Sequence, residues 1–420
     1  NIFGNNILVF RTYNLILSTI MYLLCYQILK TLNVNKRLSM LYTILIVMFT
    51  YGIIGAGANY NILAYIFFQL GVWLILKMKV GTKKDIFQGI ILFLVFFSNQ
   101  KLAAGYFAAL VIYALWNKNL KSLIKELAVT AILVGIYFIY LYTQNNLYNF
   151  INYTILGISE FGARNSIFKS SFIINIIPVL SAVFTIAMYI TLAKLMSKYE
   201  KENSKKYIKE LKTMLIFSLC TLVLIIPIVN VYHMQLASVL ILVTFMYEIH
   251  LFIYPIINNE KLPAITSAII GILLIIMTIL SIKEIINYTK IVNEIPIDSP
   301  LYGSIIEDDL QKDIEDVTTY IKNSDKEVIV LSTYAPFYSI VLSDLDNNEY
   351  DWALRGNLGT EGEEGLTSKV KKLKNTQILL YGDEENSEIY QFVFDTANYI
   401  KENMKYIGKI HSFSIYETVD

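Results

Sequence analysis

Apolar runs alternate with short polar segments over the first two thirds of the chain. They predict ten membrane spans, at about residues 7–32, 38–57, 60–76, 86–98, 102–116, 127–142, 172–193, 213–231, 235–257 and 264–282. A helix that crosses a hydrocarbon core of roughly 30 Å needs about 20 apolar residues. The fourth and fifth runs are shorter, at about 20 Å each. We therefore expect them to form a hairpin that stops within the membrane, with Asn99, Gln100 and Lys101 at its tip.

The pattern changes near residue 300. Apolar residues recur at helical spacing in 309–323, and 328–332 and 377–381 are short β-rich runs. The segments 337–342, 363–373 and 390–404 look helical, and 407–416 alternates like a final strand or hairpin. Strands that alternate with helices predict a small α/β sandwich with a largely parallel sheet. The predicted organisation is a polytopic all-α membrane domain at 1–282, a linker at 283–300 and a C-terminal α/β domain at 301–420.

Composition supports a membrane protein. Hydrophobic residues make up 55 % of the chain and charged residues 16 %, with a mean hydropathy of +0.51. Soluble globular proteins carry roughly 25 % charged residues. The charges are also divided, because residues 1–282 hold 22 basic and 8 acidic side chains, whereas residues 283–420 hold 13 and 26. The two regions are thus expected to meet different solvents.

The basic residues predict the orientation. With ten alternating spans, 18 of the 22 basic residues before position 283 fall on one side, including seven lysines between 194 and 212. Short basic loops stay cytoplasmic, so the C-terminal domain is predicted to be extracytoplasmic. The four remaining cations are predicted on the external side: Arg11, Lys101, Arg164 and Lys169.

External cations at membrane level are candidates for holding a lipid-borne phosphate. Lys101 is the first candidate because it follows Gln100 at the predicted hairpin tip, where a charge near membrane depth suggests function. Arg164 and Lys169 share the external loop 143–171, whose aromatic residues predict an interfacial helix. Arg11 offers bidentate geometry, and His233 lies on an external turn.

Carboxylates are scarce on the external face. Within residues 1–282 only Glu160 is predicted there. Either Glu160 is the general base, or the base lies upstream of residue 1, or the protein is not an enzyme. Glu248 and His250 are expected to make a local polar contact inside the membrane. The glycine-rich run 356–365 lacks phosphate-loop spacing and is interpreted as a turn followed by a helix with an acidic first turn. No residue spacing indicates a metal site.

Three segments carry a resemblance to a known family. They are Phe3–Asn14, with its Phe-Gly turn and Arg11, the polar hairpin tip Phe97–Lys101, and the His-containing turn Asn230–Gln235. Together with the topology and the tail motif Gly356–Gly359, they resemble the GT-C superfamily of membrane glycosyltransferases. The similarity is greatest to the bacterial branch of protein O-mannosyltransferases and aminoarabinose transferases. The order of Lys and Gln at the hairpin tip is reversed relative to the family.

The resemblance implies a reaction and its partners. Such enzymes move a sugar from a polyprenyl-phosphate carrier to a glycan, lipid or protein acceptor at the external face of the bacterial cell membrane. Their catalytic Asp lies in the first external loop, which would precede Asn1, so the chain is expected to be N-terminally truncated. The donor phosphate would be held by Lys101, Arg164, Arg11, His233, Gln100 and Lys169. No cofactor is indicated, a divalent metal stays open, and no nucleic-acid partner is expected.

Two other functions fit the same pattern of external cations. A flippase or transporter for a lipid-linked glycan would also need them, but it predicts intramembrane charges along a path and repeated halves. The sequence shows no repeat, and its deep intramembrane charges are Glu248 and His250. A non-catalytic envelope assembly protein, whose external domain binds a partner, is the third interpretation.

Overall fold

The computed structural model describes residues 7–50, 52–55, 60–157, 202–226, 231–253, 308–332, 358–381 and 393–419, with isolated positions between these ranges. The structure is mostly helical and contains one small sheet. Four of the described helices are long and apolar enough to cross a membrane, namely Ile7–Thr31, Tyr60–Lys77, Leu120–Thr143 and Tyr232–Leu251. The count of ten spans stays a prediction, because the runs 172–193 and 264–282 lie mostly outside the described residues.

The contacts divide the chain into two compact units. The helical unit comprises Thr12–Gln144 and Asn165–Ile282, and the sheet unit comprises Asn1–Arg11, Asn145–Arg164 and Lys283–Asp420. The described helices before residue 254 are α1 (Ile7–Thr31), α2 (Lys36–Phe49), α3 (Gly52–Gly55), α4 (Tyr60–Lys77), α5 (Thr82–Ser98), α6 (Gln100–Trp116), α7 (Leu120–Thr143), α8 (Leu147–Ile151), α9 (Glu202–Cys220) and α10 (Val231–Ile253). Of these, α8 belongs to the sheet unit.

The hairpin of α5 and α6 is longer than predicted. Each helix has 17 residues, which corresponds to about 25 Å at 1.5 Å per residue. Asn99 alone separates them, since it ends α5 and its side-chain oxygen caps α6. The predicted runs 86–98 and 102–116 began too late because they counted apolar residues, whereas both helices begin with polar residues. Each helix is still shorter than the roughly 20 residues that a full span needs, and the hairpin within the membrane stays a prediction.

The predicted span 213–231 is not one continuous helix. Helix α9 begins at Glu202, so it includes lysines that the sequence placed in a loop, and it ends at Cys220. A 3-10 turn, Thr221–Ile225, follows it. Ile226, which ends this turn, has the extended geometry that Pro227 favours for the residue before it.

Aromatic side chains fill the centre of the helical unit. The ring of Phe68 on α4 lies 4.9 Å from the ring of Tyr106 on α6 and 6.1 Å from that of Phe217 on α9. Gly105 permits this packing, because a Cβ atom there would lie 2.6 Å from the carbonyl oxygen of Cys220. The Tyr65 hydroxyl, also fully buried, accepts a hydrogen bond of 2.9 Å from the backbone N–H of Leu240 on α10.

The sheet unit contains four described strands. Besides α8, its described helices are α11 (Asp308–Asn323), α12 (Gly362–Val370) and α13 (Phe394–Asn403). Its described strands are β1 (Glu327–Leu331), β2 (Thr376–Tyr381), β3 (Lys405–Ile410) and β4 (Phe413–Glu417). The strand order is β1-β2-β4-β3. The β1–β2 pair is parallel, whereas β2–β4 and β3–β4 are antiparallel. The predicted largely parallel sheet is therefore wrong for these strands, because the two-residue connection between β3 and β4 allows only antiparallel pairing.

A short segment after α7 binds the turn before α12, and both belong to the sheet unit. Helix α8 continues into a π-helix, Asn152–Leu156. The Asn152 side-chain oxygen accepts hydrogen bonds from the Thr360 backbone N–H at 2.8 Å and from its hydroxyl at 2.7 Å. Gly359, with φ of +70°, lies directly against the Asn152 side chain. The described part of the glycine-rich run is thus a turn followed by a helix with an acidic first turn, as predicted.

Candidate functional site

Three helices of the helical unit begin close together, namely α4, α6 and α10. Asn99, which precedes α6, contacts the start of α4. Its side-chain nitrogen donates a hydrogen bond of 2.5 Å to the side-chain oxygen of Asn61. The oxygen of Asn99 accepts a hydrogen bond of 2.8 Å from the backbone N–H of Leu102 and so caps α6. Both asparagines are buried, with exposed fractions of 3 % for Asn61 and 5 % for Asn99. The start of α6 is thereby fixed against the start of α4.

Helix α10 contributes two rings to the same place. The positive charge of Lys101 on α6 acts on the imidazole of His233. Tyr232 lies within electrostatic reach of Tyr60 at the start of α4. The rings of Tyr232 and His233 are 5.4 Å apart in an edge-to-face arrangement. We call Asn61, Asn99, Lys101, Tyr232 and His233 the helix-start cluster.

The electrostatics of the helix-start cluster favour an anion. Each helix start carries roughly half a positive charge from its aligned peptide dipoles, and Lys101 adds a full charge. Backbone N–H groups at helix starts are common ligands of phosphate. Among the described residues, the buried hydroxyl of Tyr232 and the buried side-chain oxygen of Gln235 have no hydrogen-bond partner. Such groups cost free energy when unpaired, and a bound polar ligand would satisfy them.

The structure brings together some of the sequence-predicted residues. Lys101 and His233 lie within electrostatic reach of each other, and Gln100 is the first residue of α6. Arg11 is exposed on α1 and is grouped with the sheet unit. Arg164, Lys169 and the reserve base Glu160 lie outside the described residues, so their predicted roles stay predictions.

Sequence reasoning missed Asn61 and Tyr232. The sequence did contain one indication of them, because each lies in the first turn of a helix that follows a break between apolar runs. Nothing local in the sequence indicates that Asn61 and Asn99 pair with each other.

The expected contact of Glu248 with His250 does not include a hydrogen bond to the Glu248 carboxylate. Glu248 on α10 is fully buried, and neither of its carboxylate oxygens has a hydrogen-bond partner among the described residues. Residues two apart on a helix point in different directions, which explains the separation. A buried carboxyl group without a partner inside an apolar helix is a functional candidate by itself.

The described part of the chain contains no group of three or more His, Cys, Asp and Glu side chains that could hold a metal. In the sheet unit, His411 lies between two carboxylates, with its Nδ1 atom 2.7 Å from Asp313 and its Nε2 atom 2.9 Å from Asp316.

Comparison of the chain with protein-family models, with curated proteins and with solved structures finds no match.

Proposed function

We propose that the protein is a membrane glycosyltransferase that takes a sugar from a polyprenyl-phosphate donor. The observation that carries this proposal is the meeting of Lys101 and His233 with the starts of α4, α6 and α10. Two residues selected for phosphate binding from separate sequence motifs lie within electrostatic reach of each other. The helix starts add positive potential at that place without adding charged side chains to the membrane.

The proposed reaction is an inverting displacement at the anomeric carbon of the donor. A hydroxyl oxygen of the acceptor forms the new bond, a carboxylate base takes its proton, and polyprenyl phosphate leaves with the electron pair of the broken bond. Lys101 stabilises the charge that develops on this phosphate, which is the main electrostatic demand of the step. In this proposal, His233 and the Tyr232 hydroxyl contact the same phosphate group. Glu160 is the candidate base among the residues of this sequence.

The proposed location is the external face of a bacterial cell membrane. Four apolar helices are compatible with a membrane protein, and the 18 to 4 distribution of basic residues favours a multi-pass chain with an extracytoplasmic C-terminal domain. The acceptor is a glycan, lipid or protein in that compartment. Gln100 belongs to the same helix start, and Arg11, Arg164 and Lys169 are sequence-based candidates for further contacts with the donor.

The test uses the full-length protein in lipid nanodiscs with undecaprenyl-phosphate-mannose or undecaprenyl-phosphate-aminoarabinose, radiolabelled in the sugar. Donor binding and release of labelled sugar are both measured for wild type, Lys101→Gln, His233→Asn and Arg164→Gln. Lys121→Gln is the matched control, because it removes one exposed lysine from the start of α7. Removal of a charge-assisted hydrogen bond to phosphate costs about 1.5–3 kcal/mol. We therefore expect donor affinity or turnover to fall about tenfold or more in Lys101→Gln and to stay within twofold in the control.

Equal effects in Lys101→Gln and Lys121→Gln would refute a specific role of the helix-start cluster. A different result would be that wild type binds the donor but releases no sugar, even when acceptor extracts are added. This result would indicate a protein that only binds the lipid carrier, and it would refute the transferase. Loss of binding in Lys101→Gln together with loss of release would support both parts of the proposal.

A transporter of lipid-linked glycans is the second candidate function, and Glu248 favours it. A fully buried carboxyl group without a hydrogen-bond partner among the described residues is typical of proton-coupled membrane proteins. In this case, the donor would move between leaflets with its sugar bond intact. Glu248→Gln would then abolish movement, whereas a transferase would retain sugar release in this variant.

A further inference from the structure

Two adjoining cavities lie at the opposite ends of α4 and α6 from the helix-start cluster. The larger has a volume of about 440 Å³ and the smaller about 190 Å³. They share Tyr113, Asn117 and Lys209 in their walls, so they form one continuous depression. We call it the basic groove, and its charged and aromatic lining is Lys84, Lys118, Lys209, Lys212, Tyr113 and Trp116.

Lys84 is held in the wall of the basic groove. Only 4 % of its surface is exposed, and its ammonium donates a hydrogen bond of 3.3 Å to the backbone carbonyl of Ile75 near the end of α4. The same ammonium lies 5.3 Å from the ring centre of Tyr113. The charges of Glu126 and Asp85 act on Lys84, and so does the positive charge of Lys209 on α9. Lys84 and Lys209 thus bring two like charges into one site, near two carboxylates, where burial disfavours charge.

The acidic side chains near the basic groove act on Lys84 and also have partners of their own. Glu126 is the one carboxylate among the described residues that line it. Ser122 donates hydrogen bonds to Asp85 and to Glu126, the latter at 3.4 Å. Asp85 also pairs with Lys125 at 3.6 Å. The four lining lysines thus outnumber the lining carboxylate, and the positive excess lies in a concave site.

The aromatic residues suit a headgroup at a membrane surface. Lys212 lies 4.6 Å from the ring centre of Trp116, and Trp and Tyr are enriched where a membrane meets water. Lysines bind phosphate as point charges with several donors each. A volume of about 440 Å³ falls within the range of small-molecule sites.

We propose that the basic groove binds the phosphate group of an anionic ligand, with an acidic phospholipid headgroup as its source. Lys84 and Lys209 hold the phosphate between them, which removes the repulsion between their two charges. Lys212 and Trp116 bind the remainder of the headgroup. The groove shares no residue with the helix-start cluster, so this site can be tested independently of the proposed enzymatic function.

The test measures binding of dioctanoyl phosphatidic acid to the intact chain in detergent micelles by isothermal titration calorimetry. Lys209→Gln removes an exposed groove lysine, and Lys84→Gln removes the buried one. Lys83→Gln is the matched control, because it makes the same change of charge one residue away from Lys84 on an exposed residue that does not line the groove. We expect affinity to fall about tenfold in Lys209→Gln and in Lys84→Gln, and to change less than twofold in Lys83→Gln.

Dioctanoyl glycerol, which lacks the phosphate, is expected not to bind. Competition with inorganic phosphate identifies the source, because displacement at low millimolar phosphate indicates a soluble ligand and resistance indicates a lipid. Either outcome of the competition supports a phosphate site in the basic groove. Equal losses in Lys209→Gln and Lys83→Gln would overturn the proposal, as would equal binding of dioctanoyl glycerol and phosphatidic acid. Since Lys209 is exposed, its variant keeps the test valid even where Lys84→Gln fails to fold.

Discussion

The helix-start cluster and the basic groove lie at opposite ends of α4 and α6 and reach positive potential in different ways. At the cluster, α4, α6 and α10 begin while α5 ends, so the peptide dipoles favour anions and few charged side chains are needed. At the groove, α4 and α6 end while α5 and α7 begin. The dipoles there largely cancel, and the lysines determine the sign of the potential.

The two ends should respond differently to substitutions and to ionic strength. Backbone dipoles depend on the exact placement of helix ends, which buried side chains such as Asn99 hold in position. Lysine charges depend little on such detail, but those that are exposed are screened by salt. The helix-start cluster should therefore be sensitive to substitutions that alter packing, whereas the groove should be sensitive to charge removal and ionic strength.

The largest effect is expected from Asn99→Ala. This change removes the cap of α6, worth about 1 kcal/mol, and takes away the amide that donates to buried Asn61, worth about 1–3 kcal/mol. We expect the free energy of unfolding to fall by about 3 kcal/mol, measured by SDS titration in mixed micelles. Asn35→Ala is the control, because Asn35 caps α2 with two local backbone contacts and should cost about 1 kcal/mol. Equal losses in the two variants would show that the pairing of α4 with α6 is unimportant.

Two tyrosine substitutions should change stability in opposite directions. Tyr65→Phe leaves the Leu240 N–H without its tyrosine acceptor, so we expect a loss of about 1–2 kcal/mol. Tyr232→Phe removes a buried hydroxyl that has no hydrogen-bond partner among the described residues, so stability should stay the same or rise by about 1 kcal/mol. The same SDS titration measures both. A fall in donor affinity in a stable Tyr232→Phe protein would sharpen the assignment of the helix-start cluster, whereas clear destabilisation by this change would contradict an unpaired hydroxyl.

Salt should separate the two ends of the helical unit. The Debye length falls from roughly 10 Å at 0.1 M salt to about 3 Å at 1 M. We expect phosphatidic acid binding at the basic groove to weaken several-fold over this range, because Lys118 and Lys209 are exposed. Binding of the sugar donor at the helix-start cluster should weaken less than twofold, since its charges are partly buried. Both ligands are titrated at the two salt concentrations. An equal salt dependence of the two affinities would refute the claim that the two ends reach positive potential in different ways.

The smallest effect is expected in the sheet unit, where a surface ion pair provides a reference. Lys326 lies 2.8 Å from the Glu417 carboxylate and Gln377 donates to it at 3.2 Å. These hydrogen bonds, that from Lys326 first, lower the pKa of Glu417. The stability that they contribute is therefore present above the unfolded pKa of about 4.3 and is lost as pH falls through the folded value.

Hydrogen exchange of the β4 amides should accordingly show less protection at pH 3 than at pH 7 in wild type. The part of this pH dependence that comes from Glu417 should disappear in Glu417→Gln. The exposed Glu402 on α13 serves as the control, because Glu402→Gln should keep the wild-type pH dependence. An unchanged pH profile in Glu417→Gln would show that the ion pair contributes nothing measurable, as is common for surface pairs.

Much of the local structure could be predicted from the sequence. The strands β1 and β2 lie within one residue of the predicted runs 328–332 and 377–381, because alternation and β-branched residues are local signals. Helix α11 likewise starts within one residue of its prediction. The ends of α5, α7 and α9 were predicted less well. Apolar counting locates the membrane-buried part of a helix but does not detect the polar turns that extend it.

Only part of the candidate site could likewise be predicted from local sequence. Lys101 and His233 could be selected from charge and predicted topology, since both depend on the order of apolar runs. The pairing of Asn61 with Asn99 and the position of Tyr232 could not, because these contacts join residues that are far apart in sequence. The basic groove was present in the sequence only as lysines assigned to separate loops, and the fold of α9 brings Lys209 to Lys84.

Neighbouring residues in the sequence indicate which segments are apolar enough to form membrane helices, where the charges lie along the chain, and where the described strands of the sheet unit occur. These properties depend on the period and composition of neighbouring residues, so they can be read locally. Tertiary structure decided the order β1-β2-β4-β3, the meeting of three helix starts, and the confinement of Lys84 beside Lys209. Such features depend on which side chains can pack and pair across many residues, and a local pattern does not contain that information.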